Sequence, residues 1–123
     1  MIGRLEKTVF DCPDPGVLAA FYAEVLGMRV NEDYGDFVVI GTEPGARQLA
    51  FQRSAGWSPP RWPDPHGSQQ LHVDIRVEDV DVAERAVLAL GARRLRGEEE
   101  TGFRVFADPA GHPFCLVFGR AAT

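Results

Sequence analysis

The sequence predicts an α+β fold, with two βαβββ modules forming a curved mixed sheet around a cup and the helices on the outer face. Three observations predict it. Residues 70–77 alternate strictly: Leu71, Val73, Ile75 and Val77 are apolar, while Gln70, His72, Asp74 and Arg76 are polar. Period two means a strand with two unlike faces. Asp14 and Asp79 each precede a segment with apolar residues at helical spacing, closed by Leu26-Gly27 and Leu90-Gly91. The order strand, helix, three strands then occurs twice, which is an internal repeat.

The elements follow in order. Residues 5–12 are rich in apolar and β-favouring side chains and read as the first strand. Asp14 before Pro15 is a helix start, since Asp caps well and Pro suits the first helical position. Val17, Leu18, Phe21, Val25 and Leu26 form one buried stripe, and Gly27 ends the helix as a left-handed residue. Short strands are expected at 28–34, 36–41 and 47–52, with turn signals at Gly35 and Glu43-Pro44-Gly45.

Residues 54–69 break the pattern. Pro59, Pro60, Pro63 and Pro65, with Trp57 and Trp62 among them, show no periodicity. This is a connector whose tryptophans fold against the body. It divides a single domain, 1–123, into module 1 (1–53) and module 2 (70–123). After the strand 70–77, Asp79 and Asp81 place negative charge in a helix's first turn, where it is favourable. Val80, Ala83, Val87 and Leu90 form that helix's stripe. Strands are expected at 92–95, 103–108 and 113–118, with Glu98-Glu99-Glu100 solvated in the loop 96–102.

Aligning Asp14 with Asp79 matches Lys7 to His72. Glu43-Pro44-Gly45-Ala46 likewise matches Asp108-Pro109-Ala110-Gly111, which places Ala50 opposite Cys115 in the repeat. The helix-facing residues are then Leu49 and Phe51, the apolar set of 71–77, and Phe114, Leu116 and Phe118. The opposite face carries Lys7, Val9 and Asp11; Gln48, Ala50 and Gln52; His72, Asp74 and Arg76; and Cys115 and Val117. A one-residue slip would bury the charges and expose the phenylalanines, so the register is well specified.

Composition narrows the function classes. The net charge of −5 disfavours a nucleic-acid surface. No apolar run approaches the ~20 residues of a membrane span. The start, Met1-Ile-Gly-Arg-Leu-Glu, does not read as a signal peptide. Cys12 and Cys115 have no zinc-motif spacing and do not suggest a secreted disulfide scaffold. A cytoplasmic protein with reduced thiols is expected.

Three stretches carry a resemblance: Phe21-Tyr22-Ala23-Glu24-Val25-Leu26-Gly27-Met28, His72-Val73-Asp74-Ile75-Arg76-Val77-Glu78-Asp79-Val80, and Asp108-Pro109-Ala110-Gly111-His112-Pro113-Phe114. The chain resembles the vicinal oxygen chelate superfamily of glyoxalase I, extradiol dioxygenases, and fosfomycin- and bleomycin-resistance proteins. Trp62-Pro63-Asp64-Pro65 and Phe114-Cys115-Leu116 are similar to a glyoxalase-like subgroup. The resemblance implies a sheet curved around the active site, and often a homodimer. Metal-dependent members place one ligand on each of four strands, and the matching positions here are Lys7, Ala50, His72 and Cys115. Only His72 is a ligand typical of the family. Cys115 could ligate as a thiolate, Lys7 is normally a cation and Ala50 has no ligating atom.

The expected function is therefore small-molecule binding in a degenerate, metal-free cup, with no cofactor and a planar or anionic organic ligand. The alternative is a lyase/isomerase or dioxygenase-related enzyme in which His72 transfers a proton or holds a divalent metal, with Cys115 as the other candidate ligand. Candidate ligand contacts are Lys7, Gln48, Gln52, His72, Asp74, Arg76, Cys115, Trp57 and Trp62. Asp74 and Arg76 are also expected to pair with each other, and Asp74 to join a metal set only if its strand distorts. His66 and His112 lie in the connector and in a tight turn, neither naturally placed for the cup.

Overall fold

In a computed structural model the described residues are 1–62, 64, 66–96 and 102–119. Pro63, Pro65 and Glu98-Glu99-Glu100 lie outside them. The chain divides into two compact units, Met1–Trp57 and Ser58–Thr123, so most of the connector belongs to the second. Each unit is a βαβββ module with a four-stranded mixed sheet, and neither sheet closes into a barrel.

The first unit contains β1 (Thr8–Cys12), α1 (Pro15–Leu26), β2 (Arg29–Asp33), β3 (Phe37–Gly41) and β4 (Leu49–Arg53), in sheet order β1-β4-β3-β2. Helix α1 begins where Asp14 accepts a hydrogen bond from the Val17 N–H at 3.3 Å, with Pro15 behind the cap. It ends at Gly27, whose φ of 65° is the left-handed conformation a glycine adopts without steric cost. Tyr22 of α1 stacks on Phe51 of β4 with ring centroids 5.7 Å apart, and both are fully buried. Phe51 is thus helix-facing, as the alternation predicts.

The second unit contains β5 (Val73–Arg76), α2 (Val80–Ala89), β6 (Arg93–Arg96), β7 (Phe103–Ala107) and β8 (Pro113–Val117), in order β5-β8-β7-β6. Asp79 caps α2 by accepting from the N–H groups of Asp81 and Val82, each at 3.1 Å. Helix α2 buries little beyond Val87, and ion pairs hold it to the sheet. Arg104 reaches Asp81 at 3.0 Å and Glu84 at 3.2 Å, while Arg94 reaches Glu84 at 3.0 Å. These hydrogen bonds raise the Arg104 pKa, so its charge is permanent at any physiological pH.

The repeat is visible in the ladders. Thr8 pairs with Leu49 in parallel, and Val73 pairs with Phe114; both members differ by the same offset, 73 − 8 = 65 and 114 − 49 = 65. Lys7 and His72 therefore hold equivalent positions just before their strands. A register shift falls between Val30 and Glu32 in one module and between Arg94 and Arg96 in the other.

Two strand expectations need correction. The strand expected at 70–77 is only Val73–Arg76, and Leu71 is 77% exposed rather than packed on a helix. The ladder runs only as far as its parallel partner β8 allows, from Val73–Phe114 to Arg76–Val117, and the chain before it turns at Gln70, whose φ is 68°. The strand expected at 5–12 likewise begins at Thr8, and Leu5 is exposed.

Candidate functional site

On β5, residues two apart share a face, and a residue directly across the ladder shares that face as well. Asp74 is paired with Cys115 of β8, and His72 precedes β5 two residues back. His72 Nε2 lies 3.0 Å from Asp74 Oδ1, and one ligand atom from each of His72, Asp74 and Cys115 falls within 4.8 Å of the others. Their environments are graded: the Asp74 side chain is 45% exposed, that of His72 17%, and Cys115 is buried.

An apolar wall adjoins this trio. Cys115, Val117 and Val105 form a buried cluster against which Trp62, Leu95 and Phe103 pack. Trp62 thus lies on the sheet face that carries the thiol. The connector is seated at a second point too. A Cβ on Gly111, whose φ is 101°, would come within 2.5 Å of Pro59 Cβ, so the turn between β7 and β8 needs glycine both for its backbone and for the connector's approach.

Asp108 sets that turn. Its side chain is fully buried, and Oδ1 accepts from the N–H groups of Ala110, Gly111 and His112 at 2.9, 2.9 and 3.0 Å. Oδ2 meets His112 Nδ1 at 2.9 Å. His112 is thereby a structural partner of Asp108, as its place in a tight turn suggested. His66 is exposed, and its N–H donates to the Asp64 carboxylate at 2.8 Å.

The remaining sequence candidates have other local surroundings. Arg76 donates to the carbonyl of Gly119 at 2.9 Å, and Asp74 meets His72. Lys7, largely buried, places Nζ 3.7 Å from Glu6 and 5.9 Å from the Phe37 ring centroid. Gln48 Oε1 accepts from the N–H and hydroxyl of Thr42, at 2.7 and 3.0 Å, and so braces the turn after β3. Gln52 is exposed, and the Trp57 N–H donates to Ser54 at the end of the first unit. Nearby, Arg47 bridges Glu6 and Glu32. The Tyr34 hydroxyl, aided by Arg47, holds the Glu32 carboxyl below the usual carboxylate range. Cys12 and Cys115 are both buried, and neither is in a disulfide.

The donor chemistry can be tested against a divalent metal. The four positions suggested by resemblance do not make a chelate, because Lys7 is a cation and Ala50 has no donor atom. The second module gathers a different set: imidazole nitrogen, carboxylate oxygen and thiol sulfur. Imidazole nitrogen, carboxylate oxygen and thiolate sulfur are all donor types that zinc takes. Sequence reasoning gave Asp74 only a conditional place in this set. The signal that locates it is the pairing of Asp74 with Cys115, which follows from the repeat once Ala50 is matched to Cys115. The apolar wall of Val105, Leu95 and Phe103 carried no comparable signal.

Known proteins share this fold. The family described as "Glyoxalase-like domain" matches residues 7–117. A glyoxalase/bleomycin resistance protein/dioxygenase family enzyme from Burkholderia phytofirmans PsJN is similar in structure, with TM-score 0.69 and 18% identity over 93% of this chain and 97% of that one. The trypanothione-dependent glyoxalase I of Leishmania major is similar with TM-score 0.64 and 23% identity over 94% and 86%. The oxidase ChaP-H2 is similar with TM-score 0.66 and 23% identity over 100% and 98%. No curated protein matches the chain.

Proposed function

The chain belongs to the glyoxalase-like domain family, and from that premise we propose that it binds a small organic ligand on the second module's face of His72, Asp74 and Cys115. The family's fold supports a small-molecule binding or enzymatic role. The observation that carries the narrower reading is the trio within 4.8 Å beside a buried cluster on which Trp62 packs. Ligand sites combine an apolar wall with a few placed polar groups, and this face has both. Trp62 offers a planar surface, while His72 and Arg76 supply donors to an oxygen or carboxylate.

His72 is the group best placed to move a proton. Its Nε2 lies 3.0 Å from Asp74 Oδ1, so the carboxylate orients the imidazole ring. That arrangement keeps the enzymatic alternative open at the same residues. The expectation of a metal-free cup counts His72 and Cys115 as the candidate ligands, with Asp74 joining only if its strand distorts. The second module brings all three of these donors together. The proposal also includes a homodimer, supported by the family resemblance and measurable as twice the 13.5 kDa chain mass in sedimentation. Among the described residues no helix is long and apolar enough to cross a membrane.

The test uses Trp57→Phe, which leaves Trp62 as the sole tryptophan of the two. Titration with salicylate, a planar anionic probe, and then with a panel of aromatic carboxylates is expected to quench Trp62 emission saturably. His72→Ala should weaken that binding about tenfold, the ~1.4 kcal/mol of one charge-assisted hydrogen bond. Absence of saturable quenching across the panel would count against the reading.

A further inference from the structure

We propose that His72, Asp74 and Cys115 form a thiophilic divalent-metal site contained wholly in the second module. The inference rests on the reading that this face is the working surface, and it concerns a ligand set that differs from the four-strand pattern. In that pattern each module contributes two donors. Here the first-module positions, Lys7 and Ala50, contribute none, and a residue outside the pattern, Asp74, supplies the third.

The geometry points to Asp74 because it is a neighbour of both the other two. It meets His72, just before its own strand, at 3.0 Å and pairs with Cys115 across the parallel ladder. Ligand atoms around tetrahedral zinc lie about 3.3–3.8 Å apart, as follows from bonds of about 2.0–2.3 Å. The trio already spans 3.0 Å for its closest salt-bridge pair and no more than 4.8 Å overall. Side-chain rotations moving donor atoms by about 1 Å reach that range. Asp74 is the exposed member of the set, His72 is mostly buried, and the buried thiol lies on the core side.

The donor types determine which metal is taken. A thiolate favours zinc and cobalt over magnesium, calcium and manganese, which prefer oxygen ligands. Binding would release the thiol proton, leaving a site whose ion offsets the Asp74 and Cys115 charges and attracts an anionic oxygen ligand. A divalent ion there would supply Lewis acidity toward that oxygen. The protein's part is to hold Asp74 and Cys115 side by side on the β5–β8 ladder, with His72 just before it, and to back the thiol with the buried cluster of Val105 and Val117.

Cobalt(II) tests this directly on the full-length chain after dialysis against a chelator. Stoichiometric binding with a sulfur-to-cobalt charge-transfer band is expected. Cys115→Ser should abolish the band, with Cys115→Ala as the second variant should serine disturb the core. Asp74→Ala and His72→Ala should each weaken binding at least about 100-fold, since even outer partners of metal ligands contribute about 10–100-fold. Cys12→Ala and His66→Ala should leave binding unchanged. A wild-type chain with no charge-transfer band, a band that survives both Cys115 variants, or an Asp74→Ala variant that binds like wild type would each overturn the proposal. Repeating the salicylate titration with chelator present separates the two claims. Quenching without cobalt binding would sink the metal site and leave the ligand site standing, and cobalt binding without quenching would do the reverse.

Discussion

Phe114→Ala is expected to destabilise the second module by about 3–5 kcal/mol, the usual cost of removing a fully buried aromatic side chain. Phe114 is 0% exposed and stacks on Phe106 with centroids 5.5 Å apart and an interplanar angle of 20°. It also sits at a junction, paired with Val73 of β5 in parallel and with Phe106 of β7 in antiparallel register. Truncation therefore leaves a cavity and loosens two ladders together. Cys115 is the next residue, so the site should fail with the core. Such a loss consumes much of the ~5–15 kcal/mol by which a domain is stable. Phe118→Ala makes the internal comparison. Phe118 is 38% exposed and lies 5.8 Å from the Arg104 guanidinium, a contact worth about 0.5–1 kcal/mol at such a position. Chemical denaturation should separate the two variants clearly.

Asp108→Ala is the second large effect, expected at about 2–4 kcal/mol. Three backbone N–H groups and the His112 imidazole lose a buried acceptor together, and each unsatisfied buried donor costs about 1–3 kcal/mol before water relieves part of it. Asp108→Asn keeps a carbonyl oxygen for the three N–H groups and should recover most of the loss. The consequence for the site runs through register. The turn at Asp108 determines that Val105 faces Cys115, so its loss should expose the thiol. A thiol-labelling reagent should modify Cys115 faster in Asp108→Ala than in wild type, with Cys12, which lies in the other unit, unchanged. Equal labelling of Cys115 in both proteins would show that the turn does not hold the site.

Much of this fold was legible in the sequence because its signals are local. Asp14-Pro15 and Asp79 start helices by satisfying their first N–H groups, and Gly27 ends one with a positive φ that side chains resist. Alternation placed Phe51 and Phe114 toward the helices and Cys115 on the other face. Strand ends were less legible, since they depend on a partner elsewhere in the chain. Leu71 continues the alternation of 70–77 perfectly, yet it lies beyond the reach of β8 and is exposed. The site was legible in its residue types and less so in its grouping. His72, Asp74 and Cys115 were each named, but only the parallel pairing brings the carboxylate and the thiol side by side. Trp62 reads both as packing against the body and as a candidate ligand contact, and its seat against Val105, Cys115 and Val117 follows from tertiary contacts that carry no periodicity. Gln48 shows the converse: the pattern offers it as a ligand contact, and its side chain is engaged by the Thr42 turn.

The central claim is that the second module's face of His72, Asp74, Cys115 and Trp62 is where this protein meets its ligand. Amide and indole chemical shifts of the isotope-labelled chain, followed during titration with salicylate, test it most directly. The account predicts that the largest changes fall on His72–Asp74, on Val105, on Cys115–Val117 and on the Trp62 indole N–H. Changes that leave those signals still while others move, or no saturable change at all, would contradict it.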